Sequence, residues 1–222
     1  KKIIDLEEIF SSIEKVMLGP ERKSRILSDK EKKITAYHEA GHAIVAHFLP
    51  HTDPVQKVSI IARGQAGGYT LKLPLEDKHM YSKTEYVEEI AVLVAGHITE
   101  QEIVGEVTTG ATSDLRRATR LARKLITDFG MSESLGPRTF WEKDEMIFLG
   151  REIHEQRDYS EKVAEQIDKE ISNFIDRAAH QAKGLIKAKH EFLGKVVAEL
   201  MAKETLEKEE FEKIVGEKKK EE

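Results

Sequence analysis

Apolar positions in this chain recur at helical spacing almost throughout, with one short interruption. Leu6, Ile9, Phe10, Ile13, Val16 and Met17 line one side of a helix over Asp5–Leu18, which Gly19-Pro20 ends. Ser28-x-x-Glu31 is a capping box that opens a second helix, and Leu49-Pro50 closes it. Its apolar positions are Ile34, Tyr37, Ala40, Gly41, Ile44, Val45 and Phe48, with Ala36, Ala43 and Ala46 between them. Such a helix is buried on most sides. The pattern then changes: Val55–Ala62 reads as a strand, residues 64–68 as a turn and Tyr69–Leu73 as a second strand. Ser82-x-x-Glu85 is another capping box, opening a helix to about Val104. A further helix runs from about Ser113 to Phe129 and ends at Gly130, and residues 136–149 read as irregular with short strands.

From Asp158 the pattern is purely helical. One long helix reaches about Lys187, a second covers His190 to Lys203, and a short one covers Thr205 to Val215. Val163, Ile167, Ile171, Phe174 and Ile175 form a stripe that reads as packing between helices. The fold class is therefore mainly α: a helical domain with a small β-hairpin or sheet, followed by a C-terminal helical bundle. The division expected is 1–151 for the first part, 152–216 for the bundle and 217–222 for a charged, disordered tail.

Composition narrows the function. Charged residues make up 35% of the 222 and the net charge is −5 with both signs interspersed, so no basic footprint points to nucleic acid. With no cysteine, disulfides and thiolate metal sites are excluded, and any metal must use His, Asp or Glu. The apolar runs, such as Ile90 to Gly96, are too short to span a bilayer. The chain starts at Lys1 with no signal peptide, as a piece of something longer would.

The second helix carries chemistry. His38-Glu39-Ala40-Gly41-His42 spells H-E-x-x-H. Positions i and i+4 of a helix lie about 40° apart around the axis and about 6 Å apart along it, so two imidazoles bind one metal from the same face. Glu39 stands beside the first ligand, placed to take a proton from water at a zinc ion. On an apolar helix, two His and a Glu are costly unless bound to something.

A catalytic zinc needs a third protein ligand. The extended pattern would put glycine at position 45 and histidine at position 48, where this chain has Val45 and Phe48. His47 lies about 140° round the helix from His42 and reads as a partly exposed residue; His51 follows the Pro50 break and reads as a loop residue. The acids further along are Asp114, in the first turn of a helix after Thr108-Thr109-Gly110-Ala111, and Glu100 and Glu102, near the end of the preceding helix. An acid at Asp114 also suits the helix dipole, and spacing does not choose among the three.

Further motifs in register supply a choice. Thr35-Ala36-Tyr37-His38-Glu39-Ala40-Gly41-His42 is followed by Leu49-Pro50, Asp53-Pro54-Val55, Lys57-Val58, Leu73-Pro74 and Glu76-Asp77. Then come Thr108-Thr109-Gly110-Ala111, Asp114-Leu115, Gly130-Met131-Ser132, Leu135-Gly136-Pro137, Phe148-Leu149-Gly150-Arg151, Tyr159-Ser160 and Glu204-Thr205-Leu206. Over nearly its whole length the chain resembles the proteolytic domain of the FtsH family, membrane-anchored ATP-dependent zinc metalloproteases. The resemblance implies one Zn2+ held by His38, His42 and Asp114, with Glu39 as catalytic base. It also implies a homo-hexameric ring acting on unfolded polypeptides, beneath an ATPase ring that threads them. The parent protein would sit in a bacterial inner membrane with this domain cytoplasmic, or alternatively in an organellar inner membrane. The chain departs from the family at Ala95-Gly96-His97, where Gly-Gly-Arg is usual before an acidic pair that here reads Glu100-Gln101, and at Ser113, where Asn is usual. No G-x-x-x-x-G-K-[ST] loop occurs, so no ATP site is expected here; membrane and ATPase segments would precede Lys1.

The hairpin over residues 55–73 is expected beside the metal helix, its edge pairing with an extended substrate through Gly67, Gly68, Tyr69 and Thr70. A competing reading is a helical assembly module with a structural metal. Glu39 argues against it, because a structural site has no need of a base.

Overall fold

Two capping boxes set where the site-bearing helices begin. At the first, Glu31 N–H donates to Ser28 Oγ (3.2 Å) and Ser28 N–H to Glu31 Oε2 (2.9 Å). Ser82 and Glu85 repeat the exchange at 3.2 and 2.6 Å. Each box satisfies two backbone donors left over at a helix start. The computed structural model describes residues 28–63, 67–74, 77–140 and 159–218, and before them 8, 9, 12, 13, 15, 16, 19 and 20. The elements are α1 (Asp29–Phe48), β1 (Val55–Ser59), β2 (Tyr69–Lys72), α2 (Lys83–Thr99), α3 (Thr112–Thr127), α4 (Glu161–Ala188), α5 (His190–Lys203), β3 (Thr205–Glu207) and α6 (Lys208–Val215). A π-helical turn, Glu100–Val104, and a 3-10 turn, Thr109–Ala111, join α2 to α3.

α1 is the central helix. It packs on α2, α4, α5 and both hairpin strands. Ala36, Ala40, Ala43, Ile44, Val45 and Ala46 are fully buried, which is why this helix is apolar on nearly every side. α4 lies across α2 and α3 and buries Ile167, Ile171 and Phe174 of its stripe, with Val163 and Ile175 half-buried. Each of the three buried side chains contributes about 1.5–3 kcal/mol by leaving water. A single cluster of buried side chains runs from α1 to α6. No described helix is long and apolar enough to cross a membrane.

The fold is mainly helical with a small sheet, as the pattern predicts; the second strand ends at Lys72, one residue early, the helix expected to about Val104 is α-helical only to Thr99, and two further element ends differ. The first strand stops at Ser59 rather than Ala62, because Ile60 N–H turns to the Glu204 carbonyl (2.9 Å) and Ile61 N–H to Ser59 Oγ (3.2 Å). The last helix begins at Lys208 rather than Thr205. Thr205–Glu207 is instead a third strand, antiparallel to β1, with Leu206 opposite Val58 and both fully buried. Strand order is β2-β1-β3, which leaves β2 at an edge, and Thr70 faces Val58 in register. Of the irregular stretch expected over 136–149, only the part up to Phe140 is described. The expected boundary at Arg151 and the tail from 219 lie outside the described residues.

Candidate metal centre

α1 delivers His38, Glu39 and His42 to one place, and all three are buried, each with 6–7% of its surface exposed. On the His side, α2 is pressed close. A Cβ built on Gly96 would lie 2.5 Å from His38 Nε2 and 2.6 Å from His42 Nε2, so only glycine fits there. The same helix supplies the Val92 carbonyl, 2.7 Å from His42 Nδ1. That oxygen only accepts, so Nδ1 carries the proton and Nε2 keeps its lone pair.

His38 is fixed in the same way by Glu100, whose Oε1 accepts from His38 Nδ1 at 2.7 Å. Glu100 is 1% exposed and sits at the start of the π-helical turn. Its other oxygen accepts the Thr108 backbone N–H at 2.6 Å. Burial works against its charge, but His38 and Thr108 outweigh this and hold its pKa below the usual range. One carboxylate thus anchors both the first imidazole and the loop leading to α3. Thr108 caps the 3-10 turn by accepting from Gly110 N–H (3.1 Å), and α3 follows with Asp114 in its first turn.

Asp114 Oδ2 reaches 3.6 Å from His38 Nε2 and 3.7 Å from His42 Nε2, and the two Nε2 atoms are 3.0 Å apart. Among the described residues, His38, His42 and Asp114 form a group able to hold a metal ion. Burial works against the Asp114 carboxylate, but the two imidazoles hold its pKa well below the usual carboxylate range. Burial also lowers the basicity of His38, yet Asp114, Glu100 and Glu39 raise its pKa to about 10. Three carboxylates around two imidazoles make a field that calls for a cation. Glu39 is pushed the other way: burial raises its pKa, and the His38 and His42 charges offset this only in part.

The rival acids are accounted for by their contacts. Glu102 turns outward and pairs with Lys183 (2.6 Å) and Lys187 (3.1 Å) of α4. Glu100 grips His38 from behind, on the nitrogen that faces away from the cluster. His47 departs from the sequence reading: it is buried, edge-on to Phe48 and Phe211, because α6 covers that end of α1. His51 is in a loop and its backbone N–H donates to Glu88. His97 is half-buried at the end of α2, with no hydrogen-bond partner for Nδ1 among the described residues.

β2 packs on α1 beside Glu39. Thr70 Oγ1 stands 2.9 Å from Glu39 Oε2, and Tyr69 and Leu71 are buried. Gly68 is buried against α1, whereas Gly67 has only Thr35 Oγ1 within 4 Å of a built Cβ, at 3.7 Å. The glycine spacing of the sequence marks this strand, but its contact with Glu39 has no signature of its own.

Residues 25–214 match the model of peptidase family M41. The chain belongs to peptidase family M41. It is 50% identical, over 98% of its length, to ATP-dependent zinc metalloprotease FtsH 1 of Thermomicrobium roseum. It is 49% identical over 96% of its length to FtsH 1 of Thermoanaerobacter sp., and 48% identical over 98% to FtsH of Caldicellulosiruptor bescii. The chain spans 33–35% of the length of these relatives. Family M41 membership makes this chain a metallopeptidase domain, and the matched region is the protease part.

Proposed function

We propose that this M41 chain is the proteolytic domain of an ATP-dependent zinc endopeptidase that hydrolyses unfolded or threaded polypeptides, membrane proteins among them. His38, His42 and Asp114 are its zinc ligands and Glu39 its base. The observation that carries the reading is the convergence of two Nε2 lone pairs and one carboxylate. Ligands about 2.0–2.1 Å from a tetrahedral zinc stand about 3.3 Å apart. The three donors here are separated by 3.0, 3.6 and 3.7 Å. Both Nδ1 atoms donate elsewhere, so Nε2 is the nitrogen that each ring turns toward the other and toward Asp114. Without metal, a proton on His38 answers the surrounding carboxylates, and a zinc ion would take its place.

Bound there, zinc supplies a Lewis acid that polarises the scissile carbonyl and lowers the pKa of water. The chain's own residues do the rest. Glu100 and the Val92 carbonyl hold both rings in the tautomer that offers Nε2. Asp114 brings negative charge and leaves one position of a tetrahedron open. Glu39 takes the proton of the attacking water on its carboxylate, then gives it to the leaving amine; the burial that raises its pKa suits both transfers. β2, an edge strand beside Glu39, is placed to pair with an extended substrate backbone, which suits a protease indifferent to side chains.

In this reading the whole protein is a homo-hexamer anchored in a bacterial inner membrane with this domain on the cytoplasmic side. Its ATPase part, which the M41 region does not supply, unfolds the substrates. The test compares the chain with Glu39→Gln for bound zinc and cleavage of an unstructured peptide. Equal zinc with cleavage lost only in the variant supports the proposal. Equal zinc and equal cleavage would remove Glu39 from the mechanism.

A further inference from the structure

The base has its own mooring, separate from that of the metal ligands. Thr70 Oγ1 lies 2.9 Å from Glu39 Oε2 and 3.1 Å from the Glu39 backbone carbonyl. The carbonyl only accepts, and an ionised carboxylate only accepts, so the single hydroxyl proton is shared between two acceptors of the same residue. One turn of strand earlier, Gly68 sits against the stem of the same side chain. A Cβ there would lie 2.9 Å from Glu39 Cγ, 2.8 Å from Thr35 Cγ2 and 2.7 Å from the Ser59 carbonyl. Period two along β2 puts residues 68 and 70 on one face, so both press on Glu39 while Tyr69 and Leu71 are buried on the other.

We infer that Thr70 is a positioning residue for the base. Its hydroxyl holds one carboxylate oxygen of Glu39, leaves the other for the attacking water, and ties the base to the strand along which substrate is laid. This rests on Glu39 being the base of a zinc peptidase. Among the described residues Thr70 is the side chain that hydrogen-bonds the Glu39 carboxylate, and the strand at Gly68 packs against its stem. Loss of one charge-assisted hydrogen bond costs about tenfold in the step it orients.

The experiment uses the whole chain with Thr70→Val, which keeps the shape, and Thr70→Ser, which keeps the hydroxyl. Bound zinc, kcat and KM on an unstructured peptide are read together. In the metal-free chain, the thermal midpoints of Thr70→Val, Glu39→Leu and the double variant are compared. The expected results are zinc unchanged, KM within twofold, kcat of the Val variant about tenfold lower, recovery to within threefold by Ser, and midpoint shifts that are not additive. Unchanged kcat in the Val variant, a KM effect without a kcat effect, failure of Ser to recover activity, or additive midpoint shifts would each overturn the inference. If the parent chain binds no zinc or does not cleave, the peptidase reading fails instead. The midpoint comparison then still decides whether Thr70 and Glu39 are coupled.

Discussion

The two flanks of α1 hold their groups by different means. Toward α2, both imidazoles are fixed by a backbone carbonyl, a fully buried carboxylate and a glycine that admits no side chain. Toward β2, Glu39 is fixed by one hydroxyl and a close strand. The metal side is built from parts that cannot rotate, within a helix–helix contact deep in the core. The base side hangs on an edge strand with few neighbours. In the proposed mechanism a ligand set must hold a fixed geometry, whereas a base must exchange protons with water and leaving group, with substrate laid beside it. The difference predicts that damage on the α2 flank shows in zinc content, and damage on the β2 flank shows in turnover.

The largest effect belongs to Gly96→Ala. Its methyl group would overlap both ligand rings, and zinc affinity should fall at least about 100-fold with activity following. Competition against a chromogenic chelator measures it; retained affinity would break the comparison. Next is Glu100→Gln. An amide has a single acceptor oxygen, so it serves His38 or the Thr108 N–H but not both. Zinc affinity should drop about 30-fold, measured in the same titration.

On the other flank, Gly68→Ala must push β2 off α1. Zinc content should stay as it is while kcat falls about tenfold, since small misplacements at a reacting group are costly. Steady-state kinetics with metal analysis separates the two. The smallest effect lies at the far end of α1 and serves as a control. Burial, then the charges of Lys218 and Lys189, lower the pKa of His47 to about 4. The unfolded chain binds this proton near pH 6.5, the folded chain only near 4. Stability is therefore highest above 6.5 and declines as pH falls through that window. Between pH 7 and 5 this amounts to at most about 2 kcal/mol. His47→Phe should remove that slope in urea unfolding and leave zinc affinity unchanged.

Much of the fold lies open in the sequence because its signals are local. The capping boxes at Ser28 and Ser82 and the stripe of α4 depend on neighbours three and four residues away. β3 does not: Thr205–Glu207 pairs with a strand almost 150 positions earlier, and nothing near it announces that partner. The same divide runs through the site. H-E-x-x-H is a local pattern, so His38, Glu39 and His42 stand out at once, and Asp114 joins them through resemblance alone. Glu100 is visible as an acid but not as the acceptor behind His38, because that role depends on a π-helical turn and a crossing with α1. Gly96 and Thr70 act across the same kind of non-local contact. His47 looks exposed on its own helix and is buried because α6 returns to cover it.

The ligand set itself is tested most directly by X-ray absorption at the zinc edge, on the zinc-loaded chain and on its Glu100→Gln and Asp114→Asn variants. The account predicts two imidazole nitrogens and carboxylate oxygen in the parent chain, the same shell with weaker occupancy in Glu100→Gln, and loss of the carboxylate signature in Asp114→Asn. A shell that survives Asp114→Asn unchanged and loses its carboxylate in Glu100→Gln would contradict it.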